Sequence, residues 1–172
     1  MKHLALLVII LSLSFCKSVN VEKTIVQQNE TKEKAYIIQE KTEIIPNQVI
    51  HIAKDEAGIE YIKLLPGDKT VFKFQYRKMP EDQTLQDAVY TQNIYFEIEG
   101  KIKNTELKDD ELKQVNLVGQ TFGFRNATLN RIDKGSLYIN VIDNKQIEVE
   151  INLDDSYKIF QKKHIKQLIN IK

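Results

Sequence analysis

Side chains able to do chemistry are few and scattered along this chain. Past residue 16 there are two histidines, His51 and His164, and neither has a second His or Cys at metal-ligand spacing. A zinc or copper site would have to draw its ligands from remote segments. His51 lies in Val49-Ile50-His51-Ile52, a β-branched run in which it reads as a strand residue on the solvent face. Ser18, Ser136 and Ser156 fall in neither a G-x-S-x-G nor an S-x-x-K arrangement, which disfavours nucleophilic hydrolysis. Asp109-Asp110-Glu111 and Asp154-Asp155 offer oxygens for Ca²⁺ or for acid–base work, but neither has the D-x-[DN]-x-[DN]-G spacing of a calcium loop. Such pairs more often decorate loops. Glu97 and Glu99 share one strand face, and Lys101 and Lys103 continue it with opposite charge, so a solvated, compensated edge is expected there. Gly119 and Gly123 flank Gln120-Thr121-Phe122 with no helix start after them, which suits a bulged or closely packed strand rather than a phosphate loop. The sequence assigns no catalytic, cofactor-binding or metal residue.

Cys16 is the only cysteine in 172 residues, so no disulfide can form within the chain. It closes a leader in which Lys2 and His3 precede an apolar run, Leu4 to Phe15, broken only by Ser12 and Ser14. A core of that length falls short of the roughly 20 helical residues that span a bilayer and reads as a secretory signal, residues 1–15. Leu13-Ser14-Phe15-Cys16 resembles the lipobox of bacterial lipoproteins. Leu13, Ser14 and Cys16 match its pattern, while Phe15 stands where a small residue is usual. The resemblance implies cleavage before Cys16, a diacylglyceryl group on its sulfur and an acylated new N-terminus, with chains such as palmitate. Two or three chains at about 0.8 kcal/mol per buried CH₂ hold a protein firmly at a bilayer. Within that family Lys17, where an Asp favours the inner membrane, implies the outer membrane with the domain facing the periplasm. The rival reading is a cut after Ser14, with Ser12 and Ser14 as small residues at alternate positions, which would release a soluble secreted protein. An uncleaved anchor is the third.

Of 25 basic residues only Lys2 belongs to the leader, which leaves 24 against 24 acidic ones. A neutral chain argues against a nucleic-acid partner, whose binding by counterion release needs a basic face. About 156 residues after the leader suit one domain that buries about 70% of its unfolded surface.

The elements that would position any site are strands. Residues 16–34 are polar after Cys16 and read as a lipidated N-terminus and flexible tether of roughly 20 to 25 Å end to end. The alternative for Val19 to Val26 is a first edge strand. Residues 35–172 form the domain. Tyr36 to Ile38, Thr42 to Ile45, Val49 to Ala53 and Ile59 to Leu65 are short β-branched and aromatic runs, separated by Pro46-Asn47, Asp55-Glu56-Ala57-Gly58 and the tight turn Pro66-Gly67-Asp68. Thr70, Phe72, Phe74 and Tyr76 alternate toward the core, as do Ile94, Phe96 and Ile98. Asn104 to Gln114 is a polar loop or short helix. Val115 to Arg125, Ser136 to Ile142 and Gln146 to Leu153 complete the strands, the last two joined by Asp143-Asn144-Lys145. The expected fold is mainly β, an antiparallel sandwich or barrel of about 7–9 strands.

For Tyr157 to Lys172, Asp154-Asp155-Ser156 favours a short C-terminal helix, while Ile165, Ile169 and Ile171 alternate as a strand would. Lys162, Lys163 and Lys166 then form either a solvated face or a basic contact face for anionic lipid or an acidic partner. The function expected is that of a non-catalytic envelope lipoprotein, bound to the bilayer through Cys16, whose sandwich recognises a protein or glycan through loops. The alternative is a soluble secreted enzyme or small-ligand carrier with a cavity between the sheets. Its site would use residues such as His51, Tyr95 and Arg125, which the sequence cannot bring together.

Overall fold

The computed structural model describes residues 19–27, 36–81, 88–123 and 126–171. Ten strands are described: β1 (Val19–Gln27), β2 (Tyr36–Lys54), β3 (Glu60–Pro80), β4 (Tyr90–Glu99), β5 (Thr105–Lys108), β6 (Val118–Gly123), β7 (Asn126–Arg131), β8 (Gly135–Val141), β9 (Gln146–Leu153) and β10 (His164–Asn170). They pair antiparallel in two sheets, a larger one in the order β1-β2-β3-β4-β6-β7 and a smaller one in the order β10-β9-β8-β5. Neither closes into a barrel. The expected mainly-β antiparallel fold is what the chain adopts.

Period-two burial explains why these segments are strands. In β9, Ile147, Val149, Ile151 and Leu153 are buried while Gln146, Glu148, Glu150 and Asn152 are not. From the larger sheet Phe72 stacks on Phe96 with ring centroids 4.6 Å apart, and Phe74 lies 6.1 Å from the same ring. These rings share one core with Leu137, Ile139, Val149, Ile151, Ile165 and Ile169 of the smaller sheet. A 3₁₀ helix, Asp109–Val115, adds Leu112 and Val115 to that core and stops at Asn116, whose φ of 49° is left-handed. Glu111 Oε2 accepts the Lys108 amide at 3.0 Å and caps its start.

Several boundaries differ from the sequence reading. Residues Val19–Gln27, assigned to the tether, form edge strand β1 and pair with β2 from Val19↔Ile44 to Gln27↔Tyr36. Pro66-Gly67-Asp68 does not reverse the chain, because β3 continues through it, and Pro46-Asn47 does not end β2. Both strands instead bend there together. The register shifts between Pro46 and Gln48, Asn47 takes φ 57°, and a Cβ on Gly67 would meet Val49 Cγ1 at 2.5 Å.

The bend turns the distal half of the hairpin into an arm over the outer face of the larger sheet. Ile50 packs there with Val71, Tyr95 and Val118, and Ile52, Ile62 and Leu64 pack around them as a second, smaller core. At the arm's tip Asp55 Oδ1 accepts the amides of Ala57 and Ile59, as a turn aspartate does.

The expected C-terminal helix is a strand instead. Tyr157 to Phe160 forms tight turns, and β10 then pairs with β9 from His164↔Asn152 to Asn170↔Gln146. The physical reason lies in the turn. The Tyr90 hydroxyl donates to the Ile159 carbonyl at 2.7 Å, and Gln92 brackets Lys162 through both its amide nitrogen (3.0 Å) and its carbonyl (2.6 Å). With those groups bonded to β4, the chain leaves extended, and Ile165 and Ile169 enter the core from one side of a strand.

Candidate functional site

The outer face of the larger sheet carries the positions that alternate with the core. Three rows cross the strands. Glu43, Lys73, Tyr95 and Val118 are register partners in the first, Lys41, Gln75, Asn93 and Gln120 in the second, and Gln39, Arg77, Thr91 and Phe122 in the third. The arm stands on the first row, through its contacts with Tyr95 and Val118.

Charge in the first row is matched with the help of Lys41 from the second. Glu43 lies 2.7 Å from Lys41 Nζ and 3.1 Å from Lys73 Nζ, and Lys73 Nζ sits 6.0 Å from the centre of the Tyr95 ring. Partial burial works to raise the Glu43 carboxyl, but the hydrogen bonds and charges of the two lysines outweigh it and hold the group below its ordinary range. Burial, with a smaller push from Glu43, raises the Tyr95 phenol to about 12.

The second row is uncharged at its centre. Gln75 Nε2 donates to Asn93 Oδ1 at 3.1 Å. Asn93 is 6% exposed and Gln120 only 4%, and among the described residues the buried side-chain polar atom without a hydrogen-bond partner is Asn130 Nδ2. Phe122, in the next row on the same strand, is 41% exposed.

Glu97 departs most from expectation. It is 7% exposed, not part of a solvated edge, because the arm lies over it. Oε2 accepts the Ile50 amide at 2.8 Å and Oε1 accepts Lys69 Nζ at 2.6 Å. Glu99 is exposed and ends β4, and Gly100, at φ 67°, turns the chain away before Lys101 and Lys103, which therefore do not continue the face.

His51 is exposed on the side of the arm away from Tyr95, so those two do not share a site; Arg125 and Cys16 lie outside the described residues. The acidic clusters bind loops together. Asp109 Oδ1 accepts the Gly135 amide at 3.0 Å, Asp110 pairs with Lys113, Asp154 accepts the Ser156 amide at 2.8 Å and Asp155 pairs with Lys163. Among the described residues no three His, Cys, Asp or Glu side chains converge as a metal would need.

Lys162 lies 2.8 Å from Glu40, Lys163 lies 2.6 Å from Asp155, and Lys166 lies 3.2 and 3.6 Å from Glu148 and Glu150. The basic cluster of the sequence is thus matched by acids in space. Between the sheets, Thr42, Phe74, Gln92, Ile94 and Ile165 line a cavity of about 20 Å³, bridged by Glu40 and Lys162, with room for about one water.

Sequence reasoning missed the amide row because its members come from three strands, and no strand shows its register in its own residues. Compared with known proteins, the chain matches no protein-family model, no curated protein and no solved structure.

Proposed function

We propose that this chain is a non-catalytic, lipid-anchored protein of the cell envelope whose sandwich recognises a partner on the outer face of its larger sheet. The observation that carries the recognition reading is Phe122, an aromatic ring 41% exposed within β6 on the outer face of the larger sheet. A binding face gains contact area from such a ring, which presents a rigid apolar surface to a partner. Attachment rests on the leader. A cysteine that has no disulfide partner in the chain and sits directly after an apolar h-region has its best use as a lipid site.

Cys16→Ala should lose incorporation of an acyl-chain analogue and move the protein from the membrane to the soluble fraction. Unchanged partitioning, with a mature N-terminus other than residue 16, would remove the anchor. Recognition is tested separately in the anchored chain. A photoreactive phenylalanine analogue in place of Phe122 should give adducts that the same analogue in place of Leu168 does not, and no difference between the two sites would remove the face.

A further inference from the structure

We infer, resting on the reading of Cys16 as a lipid site, that one rim of the sandwich docks on the head-group layer of the bilayer that carries the anchor. The rim consists of loop 100–104 and turn 142–145. The sequence suggests a tether over residues 16–34, yet Val19–Gln27 is paired with β2 along its whole length. Only residues 17 and 18 then separate an acylated Cys16 from a strand of the larger sheet. Three Cα-to-Cα steps reach at most about 11 Å. A domain held on so short a link rests against the membrane rather than above it.

The direction of β1 fixes which part of the domain faces the bilayer. β1 runs antiparallel to β2, so the chain ahead of the Val19↔Ile44 pair comes in past Ile45 and Pro46. Their partners on β3 are Val71 and Thr70, whose own partners on β4 are Glu97 and Ile98, next to the end of β4 at Glu99. Gly100, at φ 67°, turns the chain there, and loop 100–104 carries it to β5. Asn104 Oδ1 accepts the Val141 amide at 2.7 Å, and the Lys145 carbonyl accepts the Ile171 amide at 2.6 Å. The loop, the β8–β9 turn and the end of β10 thereby form one rim on the side from which Cys16 approaches.

The side chains of this rim suit a boundary between water and lipid. Ile142 is 51% exposed, and Ile102 and Ile171 are half-buried against the main core. Lys101, Lys103 and Lys145 are exposed and make no ion pair among the described residues, in contrast to Lys162, Lys163 and Lys166. A lysine so placed can lay its methylenes along apolar surface and extend its ammonium to a lipid phosphate. Three acids share this end of the domain. Asp143 Oδ1 accepts the Lys145 amide at 2.7 Å within its own turn, and the charges of Asp68 and Glu99 act on Lys69. With those acids set against the three lysines the rim carries no net charge among the described residues. The short link and Ile142 therefore bring it to the membrane, and long-range attraction to anionic lipid does not.

The test uses the full acylated chain in nanodiscs of phosphatidylethanolamine and phosphatidylglycerol that include a lipid spin-labelled at its head group. Acylation consumes the only native thiol, so a single introduced cysteine takes a fluorophore selectively. A probe on Ile142→Cys or Lys103→Cys should be quenched several-fold more than one on Lys158→Cys, in the turn at the opposite end of β9 and β10. A Gly/Ser insertion of about 20 residues between Ser18 and Val19 should lower rim quenching to the level at Lys158→Cys. Ile142→Asp, at an exposed position, should weaken quenching at Lys103→Cys with the melting temperature unchanged.

Equal quenching at the two ends of an acylated, disc-bound chain would overturn the docking and leave the anchor standing. Rim quenching undiminished by the insertion, or by Ile142→Asp, would also overturn it, because neither the short link nor the isoleucine would then hold the rim in place. Failure of the chain to take up an acyl-chain analogue would remove the anchor, and the docking with it.

Discussion

Beneath its apolar contacts the arm is hydrogen-bonded to the sheet by the Glu97 carboxylate, and Glu97→Gln isolates what that group does. The carboxylate accepts from the Ile50 amide at 2.8 Å and from the Lys69 ammonium at 2.6 Å. A carboxamide of the same size can accept from one of them, while its own NH₂ confronts the other donor. Hydrogen bonds to charged groups contribute about 1.5 to 3 kcal/mol each, and stranding one partner of a buried pair costs about 3 to 5 kcal/mol. The Lys69 side chain is 28% exposed and recovers much of its hydration, which brings the expected loss to about 2 kcal/mol. For a chain of this length that is a fall of about 4 to 8 °C in melting temperature.

Urea unfolding would measure the loss with an unchanged m-value, and hydrogen exchange should show the Ile50 amide losing protection ahead of β9. The alkaline side gives a second reading. The hydrogen bond to Glu97 is the main cause holding the Lys69 ammonium above the ordinary value of 10.5, against a smaller effect of burial. The pair's contribution is therefore complete below pH 10.5 and lost as pH rises through the elevated value, and Glu97→Gln should flatten that decline. A loss under about 0.5 kcal/mol with Ile50 still protected would refute the latch.

Phe74→Ala removes a ring 3% exposed at the centre of the main core and should cost about 3 to 5 kcal/mol in denaturant unfolding; under about 1 kcal/mol would contradict the packing described. Gly119→Ala puts a Cβ 2.7 Å from Phe160 Cε1 and 2.9 Å from Ile94 Cδ1, an overpacking cost of about 1 to 3 kcal/mol. Adding Phe160→Leu should recover part of it, and no recovery would mean the ring is not the obstacle. In alkaline difference absorbance, Tyr95→Phe should delete a titration at about 12, because burial and the Glu43 charge favour the neutral phenol. The phenol's contribution to stability is present below its ordinary value of 10 and declines as pH rises through about 12, and a variant that instead loses a phenol titrating at the ordinary value would place the ring in solvent.

The strands legible in the sequence are those with one apolar face, where composition fixes both conformation and orientation. Thr70 to Tyr76 and Gln146 to Leu153 alternate so regularly that their buried sides follow directly. Glu97 misled for the opposite reason. It alternates with core residues as a solvent-facing residue does, and the segment that covers it lies 47 residues earlier in the chain.

The trace of that cover was present as surplus hydrophobicity. Ile50 and Ile52, with Ile62 and Leu64, prolong a hairpin beyond the part that pairs with β4, and residues so placed must find another surface. Pro46 reads as a break because it cannot donate to a ladder, yet a bulge accommodates it and the pairing resumes at Gln48↔Pro66. Gln75, Asn93 and Gln120 each read as ordinary polar alternates, and only the registers of β3 with β4 and β4 with β6 align them.

The C-terminal lysines show how the same charge pattern changes meaning once its element is known. On a helix they would complement the carbonyl end; in the strand, Lys166 of β10 protects an edge. The Leu153 amide donates to the Lys163 carbonyl and the Ile171 amide to the Lys145 carbonyl. The odd-numbered residues thus direct their backbone groups to β9, and the even-numbered ones direct theirs to the side where no described strand pairs. His164, Lys166, Leu168 and Asn170 occupy those open positions, and all four are exposed. An open edge is a template for another chain's strand, and a lysine there opposes docking because an incoming strand would have to desolvate its ammonium. Lys166 also draws on Glu148 and Glu150 across the β9 ladder, and the hydrogen bond with Glu148 raises its ammonium above the ordinary range. With Lys162 and Lys163 matched to Glu40 and Asp155 as well, the cluster presents little net charge at long range, so attraction to an anionic surface has only a weak lever there.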